Sequence, residues 1–129
     1  MIVLDTHAWL WWIAEPTRLS PTARRAIDEA DTIGVSAVSA WELTMLVARR
    51  RISLDRDVSA WVRQALGPAR VTPHPLTADV AVAAGLLDAR GFPGDPADRF
   101  IYATAQASRA RLVTRDEAIR GFDPRTAVW

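Results

Sequence analysis

The sequence predicts an α/β domain with a mainly parallel central sheet covered by helices on both faces. Two observations carry this: short apolar runs alternate with helical segments along the chain, and the first of them, Ile2 to Leu4, is apolar throughout, as in a strand buried on both sides. At 129 residues the chain fits one domain, residues 1–129, with no linker, repeat or low-complexity tract to divide it.

Taken in order, Ile2 to Leu4 is bounded by Asp5 and reads as a strand, followed at once by a helix over Thr6 to Ala14 that stops before Pro16. Ser20 caps a second helix, with Pro21 at its first position and apolar residues at helical spacing as far as Ala30. Ile33 to Ser36 is the next strand and Ser39 to Arg50 the next helix. Asp57 to Leu66 is helical and ends at Gly67-Pro68. Val71 opens a brief extended stretch ahead of a helix over Thr77 to Ala89. After the breakers of Arg90 to Asp95, a helix runs from Pro96 to about Ser108. Arg111 to Thr114 is a strand, Asp116 to Arg120 a helical turn, and Thr126 to Trp129 a last short strand.

Composition narrows the chemistry. The absence of cysteine excludes disulfides, thiolate catalysis and cysteine-ligated zinc, and two distant histidines disfavour a histidine-rich site, so any metal is expected on oxygen ligands. All 16 basic residues are arginine, which rules out mechanisms that need a lysine amine. Arginine suits phosphate recognition, although a coding bias explains the same count. The apolar run around Ala8 to Ala14 is too short to span a bilayer and no charged segment precedes it, so a cytoplasmic protein without signal peptide or membrane contact is expected.

Four carboxylates fall at element junctions. Asp5 ends the first strand, Glu42 lies in the first turn of the helix after the second strand, Asp98 lies in the first turn of a late helix, and Asp116 follows the strand that ends at Thr114. Ligands of open parallel sheets bind beyond the carboxyl ends of the strands, where these residues would converge. Each also has a local explanation. Ser39-Ala-Trp-Glu42 and Asp95-Pro-Ala-Asp98 match the capping box, and Asp5 and Asp116 are placed to cap the helices that follow them. Glu42 has Val38, Met45 and Leu46 at neighbouring helical positions, so its face is not a solvated one. Carboxylates gathered in one pocket repel unless a cation offsets them, and magnesium or manganese suits an all-oxygen set. A metal of that kind serves hydrolysis of phosphodiesters.

The chain resembles the PIN-domain ribonucleases, and among them the VapC toxins of type II toxin–antitoxin pairs. The resemblance rests on Leu4-Asp-Thr-His-Ala-Trp-Leu-Trp-Trp12, Leu19-Ser with Ala23-Arg, Val35-Ser-Ala-Val-Ser-Ala-Trp-Glu42, Asp95-Pro-Ala-Asp-Arg-Phe-Ile-Tyr-Ala-Thr-Ala105, Leu112-Val-Thr-Arg-Asp116 and Trp129. It implies a PIN-like three-layer sandwich and a Mg2+- or Mn2+-dependent endoribonuclease acting on RNA such as tRNA or rRNA. It further implies a VapB-type antitoxin partner, a homodimer, and heterotetramers or larger assemblies with antitoxin. By this resemblance Asp5, Glu42 and Asp98 are the core metal-binding acids and Asp116 the fourth. Asp95 is the lesser acid, mainly a cap, and Thr114 is the hydroxyl that orients a carboxylate or water. The segment Ala48-Arg-Arg-Arg-Ile-Ser-Leu54 departs from the glycine-lysine pattern common there in the subgroup, so substrate contacts do not transfer to it.

Several neighbours invite a role. Trp9 and Trp12 lie one turn apart and are expected to pack the core, while Trp11 points elsewhere, toward solvent, a partner or a base. His7, two residues from Asp5, is placed to touch substrate, but a structural role is the favoured expectation because its spacing offers no metal partner. Arg49 to Arg51 favour the negative end of their helix or an RNA backbone, and Arg99 either pairs with an acid or meets the scissile phosphate. Two other function classes compete. One is a PIN-like module that binds RNA or antitoxin with little turnover, which an intact acidic set disfavours. The other is a phospho-receiver domain, disfavoured because those domains use a lysine.

Overall fold

A computed structural model describes residues 1–129. Five strands form one parallel sheet: β1 (Ile2–Leu4), β2 (Ile33–Ser36), β3 (Val71–His74), β4 (Arg111–Val113) and β5 (Ala127–Val128), in the order β3-β2-β1-β4-β5. Seven helices connect and cover them: α1 (Thr6–Ala14), α2 (Pro21–Glu29), α3 (Ala37–Ala48), α4 (Val58–Ala65), α5 (Ala78–Leu86), α6 (Pro96–Ala107) and α7 (Glu117–Phe122). No helix is long and apolar enough to cross a membrane.

The central strand shows why the sheet is buried twice over. Because alternate residues of a strand face opposite sides, Ile2 and Leu4 join a core with Trp9, Ile27, Leu43 and Trp61, while Val3 joins another with Ile101, Tyr102 and Leu112. Val113 and Leu112 split the same way on β4. The result is the expected three-layer α/β sandwich.

Strand order decides where a ligand can bind. The chain leaves β1 for β2 and β3 on one side, then returns to place β4 and β5 on the other, which opens a crevice beyond the carboxyl ends of β1 and β4. Asp5 and Thr114 are the residues immediately past those two strands. The Asp5 N–H donates to the Val113 carbonyl at 3.0 Å, which pins the end of β1 to β4.

One helix start differs from expectation. The segment from Ser39 does not open a helix, because β2 runs directly into α3 and Ser36 takes the cap, its hydroxyl accepting from the Val38 N–H at 3.1 Å. The Ser39–Glu42 capping box is therefore absent. Ser39 is fully buried inside the helix with its hydroxyl unpartnered, and Glu42 lies in the second turn rather than the first.

Candidate active site

Each acidic residue is placed by a local rule. Asp5 caps α1, its Oδ1 accepting from the Ala8 N–H at 2.8 Å, and Asp116 caps α7 by accepting from the Ile119 N–H at 2.9 Å. Asp95 and Asp98 form the expected capping box at the start of α6: Asp95 Oδ1 accepts from the Asp98 N–H at 3.0 Å, and Asp98 Oδ2 from the Asp95 N–H at 3.3 Å. Gly94 makes this possible. A Cβ there would stand 2.5 Å from the Phe92 ring and 2.6 Å from Asp98 Cβ, so only glycine lets the loop pass so close to the acid. Glu42 reaches the same region from α3, which packs between α1 and α6.

These residues line one cavity of about 780 Å3. Asp5, Glu42, Asp95, Asp98 and Asp116 all contribute, and Glu15 and Glu117 raise the lining to seven carboxylates against three arginines, Arg18, Arg51 and Arg115. The lining is thus predominantly acidic, and carboxylates gathered this way repel one another.

The electrostatics link three of the acids. Burial pushes the Asp5 carboxyl up, and the Glu42 charge adds to that; a hydrogen bond from the Thr114 hydroxyl, the Ala8 N–H and the His7 side chain pull the other way. Asp98 is pushed up to about 7, first by burial, then by the charge and hydrogen bond of Asp95, and then by Glu42. Glu42 acts on both Asp5 and Asp98, so the three carboxylates share one field. No group of three closes to metal-ligating geometry in this side-chain arrangement. The donor set nevertheless fits a hard divalent cation: it is all oxygen, its acids repel, and the carboxylates outnumber the three arginines of the lining.

Thr114 is fully buried, its hydroxyl accepts from the Asp116 N–H at 3.1 Å, and its polarity draws the Asp5 carboxyl back down, so it stands between the acid ending β1 and the acid beyond β4. Arg99 is not part of the cavity lining. Its guanidinium pairs with Asp88 and donates from Nε to the Gly94 carbonyl at 3.2 Å, so of its two expected roles the ion pair is the one observed.

The aromatic expectations need correction. Trp11 is only 6% exposed and forms a wall of the cavity, whereas Trp12 is only partly buried at the edge of the core. The covering groups come from distant segments: Trp129 meets the Trp11 ring edge-on at 5.9 Å, and the Arg18 and Arg115 guanidinium carbons stand 4.6 and 5.8 Å from its centroid. Such cation–π contacts contribute about 0.5–1 kcal/mol each near a surface. His7 is exposed at the cavity rim, 5.6 Å from the Trp11 ring, and is not a core histidine. Of the triplet Arg49 to Arg51, only Arg51 lines the cavity. Arg18, Arg115 and Glu117 were not anticipated there. Adjacency to Asp116 was a usable signal for Arg115 and Glu117, but nothing local marks Arg18.

Comparison with known proteins agrees with this architecture. The sequence profile of the PIN domain matches residues 2–123. Ribonuclease VapC22 of Mycobacterium tuberculosis is 44% identical over 130 aligned residues, covering 99% of this chain and 98% of that protein. Two solved structures superpose closely at low identity. One is a toxin–antitoxin complex from Klebsiella pneumoniae, with TM-score 0.69, 19% identity and coverage of 100% of this chain and 97% of the other. The second is VapBC2 from Rickettsia felis bound to a promoter DNA fragment, with TM-score 0.68, 18% identity and coverage of 98% and 97%. At those identities the structures speak for the fold, while the profile and the M. tuberculosis relative speak for ancestry: the chain belongs to the PIN-domain family and, within it, to the VapC proteins.

Proposed function

We propose that this chain, as a single PIN domain over residues 1–129, is a divalent-metal-dependent endoribonuclease and the toxin of a type II toxin–antitoxin pair. The observation that carries the reading is the convergence of Asp5, Glu42, Asp98 and Asp116, from four separate segments, on one cavity at the switch point of the sheet. The name of the M. tuberculosis relative supports RNA as substrate, and the complexes among the structural neighbours support a VapB-type antitoxin as partner. A homodimer in the cytoplasm is part of the same proposal.

In this reading Asp5, Glu42 and Asp98 hold Mg2+ or Mn2+, and Asp116 completes the acidic set. A bound metal of this class lowers the pKa of water and stabilises a leaving oxygen in phosphodiester hydrolysis. The chain's own residues do the rest. The capping contacts at Ala8 and Asp95 hold the Asp5 and Asp98 side chains in place at the cavity wall, and the buried Thr114 hydroxyl favours the charged form of Asp5. A cation held beside Asp98 would take the place of the proton that burial and the neighbouring Asp95 favour on its carboxyl.

The test is cleavage of a mixed tRNA and rRNA pool by purified protein with manganese, with chelator, and by Asp5→Asn. Cleavage by the wild type that both controls lose by at least about 100-fold supports the proposal. Full activity in Asp5→Asn removes that residue from the mechanism, and RNA binding without turnover favours a PIN-like binding module instead.

A further inference from the structure

A crevice lined by seven carboxylates must still accept a polyanion, and one wall of it is built for that. Trp11 carries two arginine side chains on a single indole, Arg18 at 4.6 Å and Arg115 at 5.8 Å, and both line the cavity that holds the acids. Neither charge is held in a tight, buried pair. Arg115 makes no ion pair, and the carboxylate near Arg18 is Glu15, a loose 3.6 Å contact with both side chains at least half exposed.

The placement of each arginine is set by structure behind it. Arg18 closes the 3-10 turn Pro16–Arg18 that follows α1, where its N–H donates to the Glu15 carbonyl. Arg115 lies between the buried Thr114 and the capping Asp116, so its backbone is tied to the acid site itself. Trp11 is in turn backed by Trp129. Guanidinium groups held over an aromatic ring by cation–π attraction keep N–H donors free for phosphate oxygens, and that contact limits the conformations each must give up on binding.

We infer that Arg18 and Arg115, held on Trp11, form a phosphate clamp that seats the RNA backbone beside the carboxylate cluster. This rests on the ribonuclease reading above and adds to it the residues that admit the substrate. Trp11 is a positioning residue, because it acts through the two arginines.

The test measures binding of bulk tRNA by the cleavage-impaired Asp5→Asn chain across a salt series at fixed magnesium, with Arg18→Ala, Arg115→Ala and both arginine-to-lysine variants added singly. Each alanine variant is expected to weaken binding several-fold and to flatten the slope of log affinity against log salt by about 0.7–0.9, the value for one lost phosphate contact. Each lysine variant keeps the slope because it keeps the charge, but loses affinity with the fork and the stacking. A merely structural role would lower the Tm and leave the slope alone. Salt-dependent binding by the parent with unchanged slopes in both alanine variants overturns the clamp and leaves the ribonuclease reading standing. A parent without salt-dependent binding, alongside a wild type that cuts no RNA, overturns both.

Discussion

Replacing Asp98 by asparagine removes a charge that the fold holds at a cost. The carboxyl is raised from its ordinary 3.8 to about 7, chiefly by burial and by its neighbours Asp95 and Glu42. At about 1.36 kcal/mol per pKa unit this corresponds to roughly 4 kcal/mol of folding free energy withheld once the group ionises. Partial exposure and screening by water reduce that to about 2 kcal/mol. The direction follows from proton counting. Between 3.8 and about 7 the folded chain binds the proton more tightly than the unfolded one, so this group favours folding below 3.8 and loses that contribution as pH rises through 7. Asparagine carries no such charge, and its amide oxygen can still accept from the Asp95 N–H as Asp98 does. In chelator at pH 8, Asp98→Asn should therefore unfold roughly 4–10 °C above the wild type, and the difference should shrink toward zero near pH 4. Thermal unfolding by circular dichroism at several pH values reads this directly. An unchanged or lower Tm at pH 8, or a gain that persists unchanged at pH 4, would refute the electrostatic account of the site.

Two further substitutions test the local structure around it. Ser39→Ala should be neutral or stabilising by up to about 1 kcal/mol in urea unfolding, because its buried hydroxyl has no partner; a loss of about 1 kcal/mol would instead reinstate it as a helix cap. Arg109 follows α6 in a left-handed conformation, with φ 51°, that glycine adopts without strain. Arg109→Gly should raise the urea midpoint by the equivalent of about 0.5–1 kcal/mol with the slope unchanged, and a drop in midpoint would mean the side chain makes a contact worth more than the strain.

The acids were legible in the sequence because strand ends and helix starts are local signals. For Asp5, Asp98 and Asp116 a capping role and a place in the cavity are compatible, since each carboxylate bonds a helix-start N–H while its side chain still lines the cavity. For Glu42 the local pattern misled. Ser39 and Glu42 have capping-box spacing, but β2 meets α3 without a loop, and only the position of the strand end reveals that Ser36 is the cap. Trp11 failed for a different reason. Helical periodicity divides a helix into faces but does not say what covers each one, and α1 is buried at Ala8, Trp9, Leu10 and Trp11 alike. The groups that cover Trp11, namely Arg18, Arg115 and Trp129, arrive from segments that only the tertiary fold brings together.

The central claim is that the acids at the switch point hold a divalent cation, and the most direct measurement is anomalous diffraction from crystals of the chain grown with manganese. The account predicts a manganese peak bounded by the carboxylates of Asp5, Glu42 and Asp98, lost in crystals of Asp5→Asn. A well-ordered cavity without the peak at saturating manganese, or a peak bound by other residues, would contradict it.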